Sequence, residues 1–265
     1  MLRIFVIFIL IIFLSSPTKI MAGGIVSDFL PKYKLEIEIS DFQFLEMSDA
    51  NFGSFDIDKF AIYTRLQFEN SNIAAAEYIL SKMGVTYGVN NHFFLRRQTN
   101  ERIRFEVFEG GSCPDMFCPS EGIDFYASTA ILNDTNVHSI YMTYDYAASP
   151  RMRMWVDGVE DTPNNYGEAI ISSPNDSADP IDIGGIVGGR SYDGTIGMML
   201  FFQGSFPDIT DIENADTSLK DVRFITGLKS MWWGGAGDPT EDLILSTAWT
   251  NNGNCVVTQG TLETY

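Results

Sequence analysis

The sequence predicts an all-β fold, an antiparallel two-sheet β-sandwich with one short helix. Three observations predict it. Segments with apolar residues at period two recur along the chain, and turn formers separate them. The 265 residues include 20 Phe and 11 Tyr, and aromatic and β-branched residues favour strands. Apolar residues make up 45% of a chain long enough for a large core, so the main body is not disordered.

The elements follow in order. Lys34-Leu-Glu-Ile-Glu-Ile-Ser alternates as a strand with one wet face, and Phe42, Phe44 and Leu45 continue it. Asn51-Phe-Gly-Ser reads as a turn. Residues 60–69 form the first strong strand. Ala74–Met83 has helical propensity, but Tyr78, Ile79 and Leu80 between turn signals favour a strand over 77–82. Residues 92–97 and 102–109 make a hairpin around Gln98-Thr-Asn-Glu, and 123–129 is a further strand.

The stretch 138–204 carries four more strands: 138–146, 151–158, 181–185 and 192–202. Ala147-Ala-Ser-Pro turns the first hairpin. Residues 159–179 read as a long loop, a place where function often sits. Pro207-Asp-Ile-Thr-Asp-Ile-Glu starts the short helix, with Asp208 as its cap. Residues 23–220 are expected to form the sandwich, and 221–265 a C-terminal extension packed on it.

Composition bounds the function. Lys+Arg is 17 and Asp+Glu is 35, a net charge of −18. A polyanion is repelled by such a chain, so nucleic-acid binding is excluded. At the N-terminus Arg3 precedes an apolar run of 11 residues, Ile4–Leu14, and Met21-Ala22 ends a short polar segment. This is the pattern of a secretory signal peptide over 1–22; the competing reading is a retained membrane anchor. The run is short for a spanning helix, which needs about 20 residues. The expected location is secreted, cell-surface or periplasmic, with a virion as a further option. Cys113 and Cys118 bracket a Gly/Pro-rich loop and are the disulfide candidates in an exported chain. Cys255 is left over, either free or paired with one of them.

The residues at 138–204 carry a family likeness. His138, Thr143, Tyr144 and Asp145 lie on one strand; Val156-Asp-Gly ends the next; Ile183-Gly and Gly194-x-Ile196 follow, then the Pro207–Glu213 helix start. These resemble laminin-G-like domains of the concanavalin A-like lectin/glucanase superfamily over about residues 60–215. The resemblance implies a jelly-roll sandwich, with His138 as a structural histidine. The family often places an acid after Gly-x-Ile; this chain has Gly197. Laminin-G domains sometimes hold Ca²⁺, to which Asp115, Asp124, Asp134 or Asp176 could contribute, with no ligand set chosen. The segment 247–262 is loosely similar to tails that follow such domains in marine bacterial and phage-associated proteins.

Catalysis finds no support in these residues. The glycosidase branch of the superfamily needs Glu-x-Asp-x-x-Glu on one strand, which puts the carboxylates on one face. Glu36 and Glu38 share a face but lack a third acid, and Glu106 and Glu109 alternate; both pairs read as solvated strand faces. The expectation is a non-catalytic module binding glycan or a surface protein. The alternative is a structural component of a virion or cell-surface assembly, with homo-oligomers open. Candidate ligand-binding side chains are Trp232, Trp233 and Tyr166, aromatic faces on which a sugar could stack.

Overall fold

The two sheets of the sandwich are antiparallel throughout, and residues near both ends of the chain enter each of them. The computed structural model describes residues 33–37, 43–53, 57–71, 73–82, 92–109, 122–170, 174, 178–185, 192–217, 225–232, 242, 244–245, 248–253 and 255–259. With strands numbered in chain order, sheet A runs β10 (Val159–Glu160), β9 (Met152–Val156), β8 (Val137–Asp145), β3 (Lys59–Phe68), β13 (Gly194–Gln203), β1 (Tyr33–Ile37), β16 (Val256–Gln259). β14 (Leu228–Trp232) pairs with β13 beyond the end of β1, so β1 and β14 share one edge of that long strand. Sheet B runs β11 (Asn165–Gly167), β7 (Ile123–Ile131), β6 (Arg102–Phe108), β5 (Phe93–Arg97), β4 (Glu77–Lys82), β12 (Ile181–Ile183), β2 (Phe44–Met47), β15 (Thr250–Asn252).

Period-two alternation builds the core. In β3, Phe60, Ile62 and Leu66 face inward with Ile140, Met142 and Tyr144 of β8. Phe93 and Leu95 of β5 and Phe105 and Val107 of β6 meet them from sheet B. Phe60 packs against Phe93, Phe105 and Tyr144 with ring centroids 5.2–6.0 Å apart. The outer face of sheet A carries a second cluster, Ala61, Tyr63, Tyr141, Met198 and Leu200, covered by Ile209 and Ile212 of the helix α2 (Ile209–Thr217).

The strands read over 60–69, 77–82, 92–97, 102–109 and 123–129 are present, and the strand reading of 77–82 holds against the helical propensity before it. Several expectations are corrected. Phe44 and Leu45 do not extend β1; they begin β2 in the opposite sheet. Asn51-Phe-Gly closes a one-turn helix, α1 (Asp49–Phe52), whose Phe52 is buried, so the described chain has two short helices rather than one. The stretch 138–204 is divided, with β8, β9 and β13 in sheet A and β12 in sheet B. Residues beyond 221 are not an extension laid on the sandwich: β14 and β16 belong to sheet A and β15 to sheet B.

Two glycines of the resemblance have backbone reasons. Asp157 and Gly158 take φ of 51° and 74° between Val156 and Val159, which pair across the tight β9–β10 turn. Gly194 has φ 146°, and a Cβ there would lie 2.2 Å from the Gln67 carbonyl oxygen. Gly197 sits where β13 slips register against β3, between Ile196 and Met198, a bulge that a residue without a side chain accommodates.

Buried charges are paired. Arg97 and Glu77 are both buried and meet at 2.9 Å, with the guanidinium 3.9 Å over the Phe68 ring. Glu106, expected on a solvated face, is buried between two arginines. Glu38 and residues 1–22, Cys113 and Cys118 lie outside the described residues, and so does the side chain of Glu36. Cys255 is buried and free. Among the described residues no helix is long and apolar enough to cross a membrane.

Candidate functional site

The outer face of sheet A opens into a cleft of about 830 Å³ between the β8–β9–β10 edge and the segment leading into α2. Alternation decides what faces it. In Arg151-Met-Arg-Met-Trp-Val, Met152, Met154 and Val156 point into the core, which leaves Arg153 and Trp155 on the outer face. Trp155 is partly exposed and packs on the buried Tyr141 ring, with centroids 5.2 Å apart. The indole is thereby braced from behind, and it lines the cleft while staying partly exposed.

Polar groups ring this aromatic floor. Arg153 lies over Trp155 at 5.0 Å and donates from Nε to Glu160 Oε1 at 2.8 Å. Asp145 pairs with Lys59 at 2.9 Å, and Lys59 sits over the Phe206 ring at 4.9 Å. Tyr141 donates its hydroxyl to the Pro207 carbonyl at 2.8 Å. Burial, with the nearby Asp208 charge, raises the pKa of that phenol. Asp208 accepts from the Thr210 hydroxyl and backbone N–H, which holds its carboxyl below the usual range. The cleft thus presents a rim of fixed donors and acceptors around an aromatic face.

Arg153 and Glu160 also border a smaller recess of about 100 Å³, lined by Tyr126, Pro163 and Tyr166. Tyr166 therefore lies beside the cleft rather than on a free loop. It belongs to β11, packs edge-on to Tyr126 at 6.1 Å, and its hydroxyl accepts from Arg151 N–H and donates to Glu168. Burial, with the Glu168 hydrogen bond, raises its pKa to about 12. The presumed long loop from 159 is docked as far as Ile170. Asp161 accepts from the N–H groups of Thr129 and Ala130, and Asp124 from those of Ala169 and Ile170.

Trp232 is corrected outright. It has no exposure and belongs to the core, so no sugar can stack on it. Trp233 lies outside the described residues. Trp155 was the aromatic that the sequence reading missed; the same alternation that places Met152 and Met154 inside would have found it.

Two of the four suggested calcium donors, Asp124 and Asp134, are engaged within the protein. Asp124 spends both oxygens on Arg151, Tyr144 and two backbone N–H groups, and Asp134 is hydrogen-bonded to His138. Asp115 and Asp176 lie outside the described residues. Among the described residues no group of three His, Cys, Asp or Glu could hold a metal ion. His138 is a structural bridge: Nδ1 lies 2.8 Å from Asp157 and Nε2 2.9 Å from Asp134. Next to it, Ser139 donates to Glu213 of α2.

No protein-family model matches the chain, and no curated protein matches it by sequence. Solved structures do. The heptameric SAP-like pentraxin from Limulus polyphemus is similar over 88% of this chain and 97% of its own, with a TM-score of 0.54 at 11% identity. Domains LG4-5 of the mouse laminin α1 chain match 68% of this chain and 43% of theirs, with a TM-score of 0.43 at 16% identity. The CBM40 of the Ruminococcus gnavus IT-sialidase, bound to α2,3-sialyllactose, matches 70% of this chain and 96% of its own, with a TM-score of 0.44 at 14% identity. At these identities the likeness is one of fold. The chain is a two-sheet jelly roll of the concanavalin A-like type.

Proposed function

We propose that the protein is an exported, non-catalytic recognition module that takes a glycan in the sheet A cleft, with the sugar stacked on Trp155. The observation that carries this is the indole itself, braced by Tyr141 and partly exposed at the floor of the cleft, with the mobile-stemmed Arg153 beside it. The rim supplies what a sugar's hydroxyls need, with donors from Arg153 and acceptors from Glu160, Asp145 and Asp208.

The same rim argues against hydrolysis. A glycosidase needs two carboxyls across the bond, one of them kept protonated by a raised pKa. Here Glu160 is committed to Arg153, Asp145 to Lys59 and Asp208 to the helix start, and Asp208 is pushed toward the charged form. The apolar run Ile4–Leu14 after Arg3 supports export.

A glycan-array screen of the folded protein, followed by titration of the best binder, tests the reading. The expected result is saturable binding that weakens at least tenfold in Trp155→Ala with the fold retained. Binding that is undiminished in that variant, or release of reducing ends from the bound glycan, overturns it.

A further inference from the structure

The opposite face of the molecule carries an arrangement that the cleft does not use. On the outer face of sheet B, Arg96 of β5 and Arg104 of β6 are register partners. Like charges directly opposite on neighbouring strands are destabilising. Glu106 stands two residues along β6 on the same face and bridges them. Its Oε2 lies 3.2 Å from Arg96 Nη2 and its Oε1 2.5 Å from Arg104 Nη2. Among the described residues two cations thus share one carboxylate, a local surplus of one positive charge. In a chain with 35 acids against 17 bases, that surplus is not forced by composition.

Aromatic rings hold both guanidinium planes. Arg96 lies 4.8 Å from the Phe94 centroid and 5.7 Å from that of Tyr78, to whose oxygen it donates at 3.3 Å. Arg104 lies 4.6 Å over Phe125. Their Nε–H groups are buried and have no hydrogen-bond partner among the described residues. The side chains stay accessible at 15% and 23%, against 5% for Glu106. Along the register, Phe94 and Ser81 separate Glu106 from the next carboxylate, Asp182.

We propose that Arg96 and Arg104 form a binding site for one oxyanion group, a carboxylate or sulfate, carried by an acidic saccharide. The planar fork of a guanidinium matches the oxygen pair of such a group, and it does so with charge-assisted hydrogen bonds. Stacking on Phe94 and Phe125 fixes the donors beforehand, so little ordering is lost on binding. An incoming anion neutralises the surplus that Glu106 leaves. The partly exposed ring of Phe125 offers the adjoining sugar an apolar surface. The anion site stands on its own geometry; its saccharide carrier rests on the glycan reading of the cleft.

The test follows the arginine Nε–H resonances of ¹⁵N-labelled protein during titration with glucuronate, glucose 6-sulfate, glucose and sodium sulfate. The expected result is saturable shifts of the Arg96 and Arg104 signals with either acidic sugar and none with glucose. Affinity falls at least tenfold in Arg104→Gln and also in Arg104→Lys, which keeps the charge but loses the fork. Trp155→Ala leaves the shifts intact, so failure here and failure of the cleft are told apart. No saturable shift with either acidic sugar overturns the site. Affinity that persists in both Arg104 variants overturns it too. A response to sodium sulfate equal to that of the acidic sugars overturns the saccharide carrier.

Discussion

Arg151 reaches down to Asp124 at 2.9 Å, at a point where Asp124 has no exposure. Asp124 gathers the hydroxyl of Tyr144 from sheet A and the N–H groups of Ala169 and Ile170 from the docked loop. One carboxylate therefore ties together both sheets and the segment behind the cleft. Asp124→Asn leaves the arginine without its counter-charge and is expected to cost about 3 kcal/mol. For a domain of this size that lowers Tm by roughly 6–12 °C. Thermal unfolding followed by circular dichroism checks it.

His138 predicts a pH dependence. Burial disfavours its charged form, but hydrogen bonds to Asp157 and Asp134 outweigh burial and raise its pKa above the ordinary imidazole value. The folded state then holds a proton that the unfolded chain has released. That contribution is fully present below the unfolded pKa of about 6.5 and is lost as pH rises through the folded value. His138→Gln should flatten the wild-type decline in urea midpoint measured from pH 6 to pH 9. An unchanged slope would remove His138 from the account.

Gly194 tests the backbone argument. Alanine there would take a φ that L-residues avoid and drive Cβ into the Gln67 carbonyl, at a point where β13 begins its pairing with both β3 and β1. The expected loss is about 2–4 kcal/mol, read as a drop in denaturation midpoint. Gly158→Ala, whose Cβ would meet only the far end of the Glu213 side chain, at 2.8 Å, should cost less, roughly 1–2 kcal/mol.

The tryptophans separate by accessibility. Trp232 and Trp249 are 0% and 1% exposed, whereas Trp155 lies at the cleft surface. Acrylamide quenching of intrinsic fluorescence should fall clearly in Trp155→Phe and hardly at all in Trp249→Phe. A bound glycan should protect the same component.

Much of the sandwich was legible because alternation is local. Phe60–Phe68 and Arg102–Phe108 carry their strand identity in their own residues. Sheet membership was not legible. Ile181–Ile183 and Gly194–Gln203 both read as strands, yet they sit in opposite sheets, because pairing partners are chosen across about a hundred residues or more. The site failed for a related reason. Alternation within residues 151–156 marks Trp155 as outward, but that Trp232 faces the core follows from the pairing of β14 with β13 rather than from neighbours in the chain. Glu106 looked solvated because its two arginines must be read in register, one from the next strand.

The pairing of β1 with β16, and of β2 with β15, bears on how the molecule is made. Leu35 waits for Val257 and Leu45 for Asn251, so these strands find their neighbours more than 200 residues later in the chain. A growing chain on the ribosome carries two open strand edges until residues beyond 250 emerge, and open edges invite pairing with other chains. Ordering contacts of such long sequence separation makes folding slow. The molecule is thus most vulnerable to aggregation before residues beyond 250 have emerged to cover those edges.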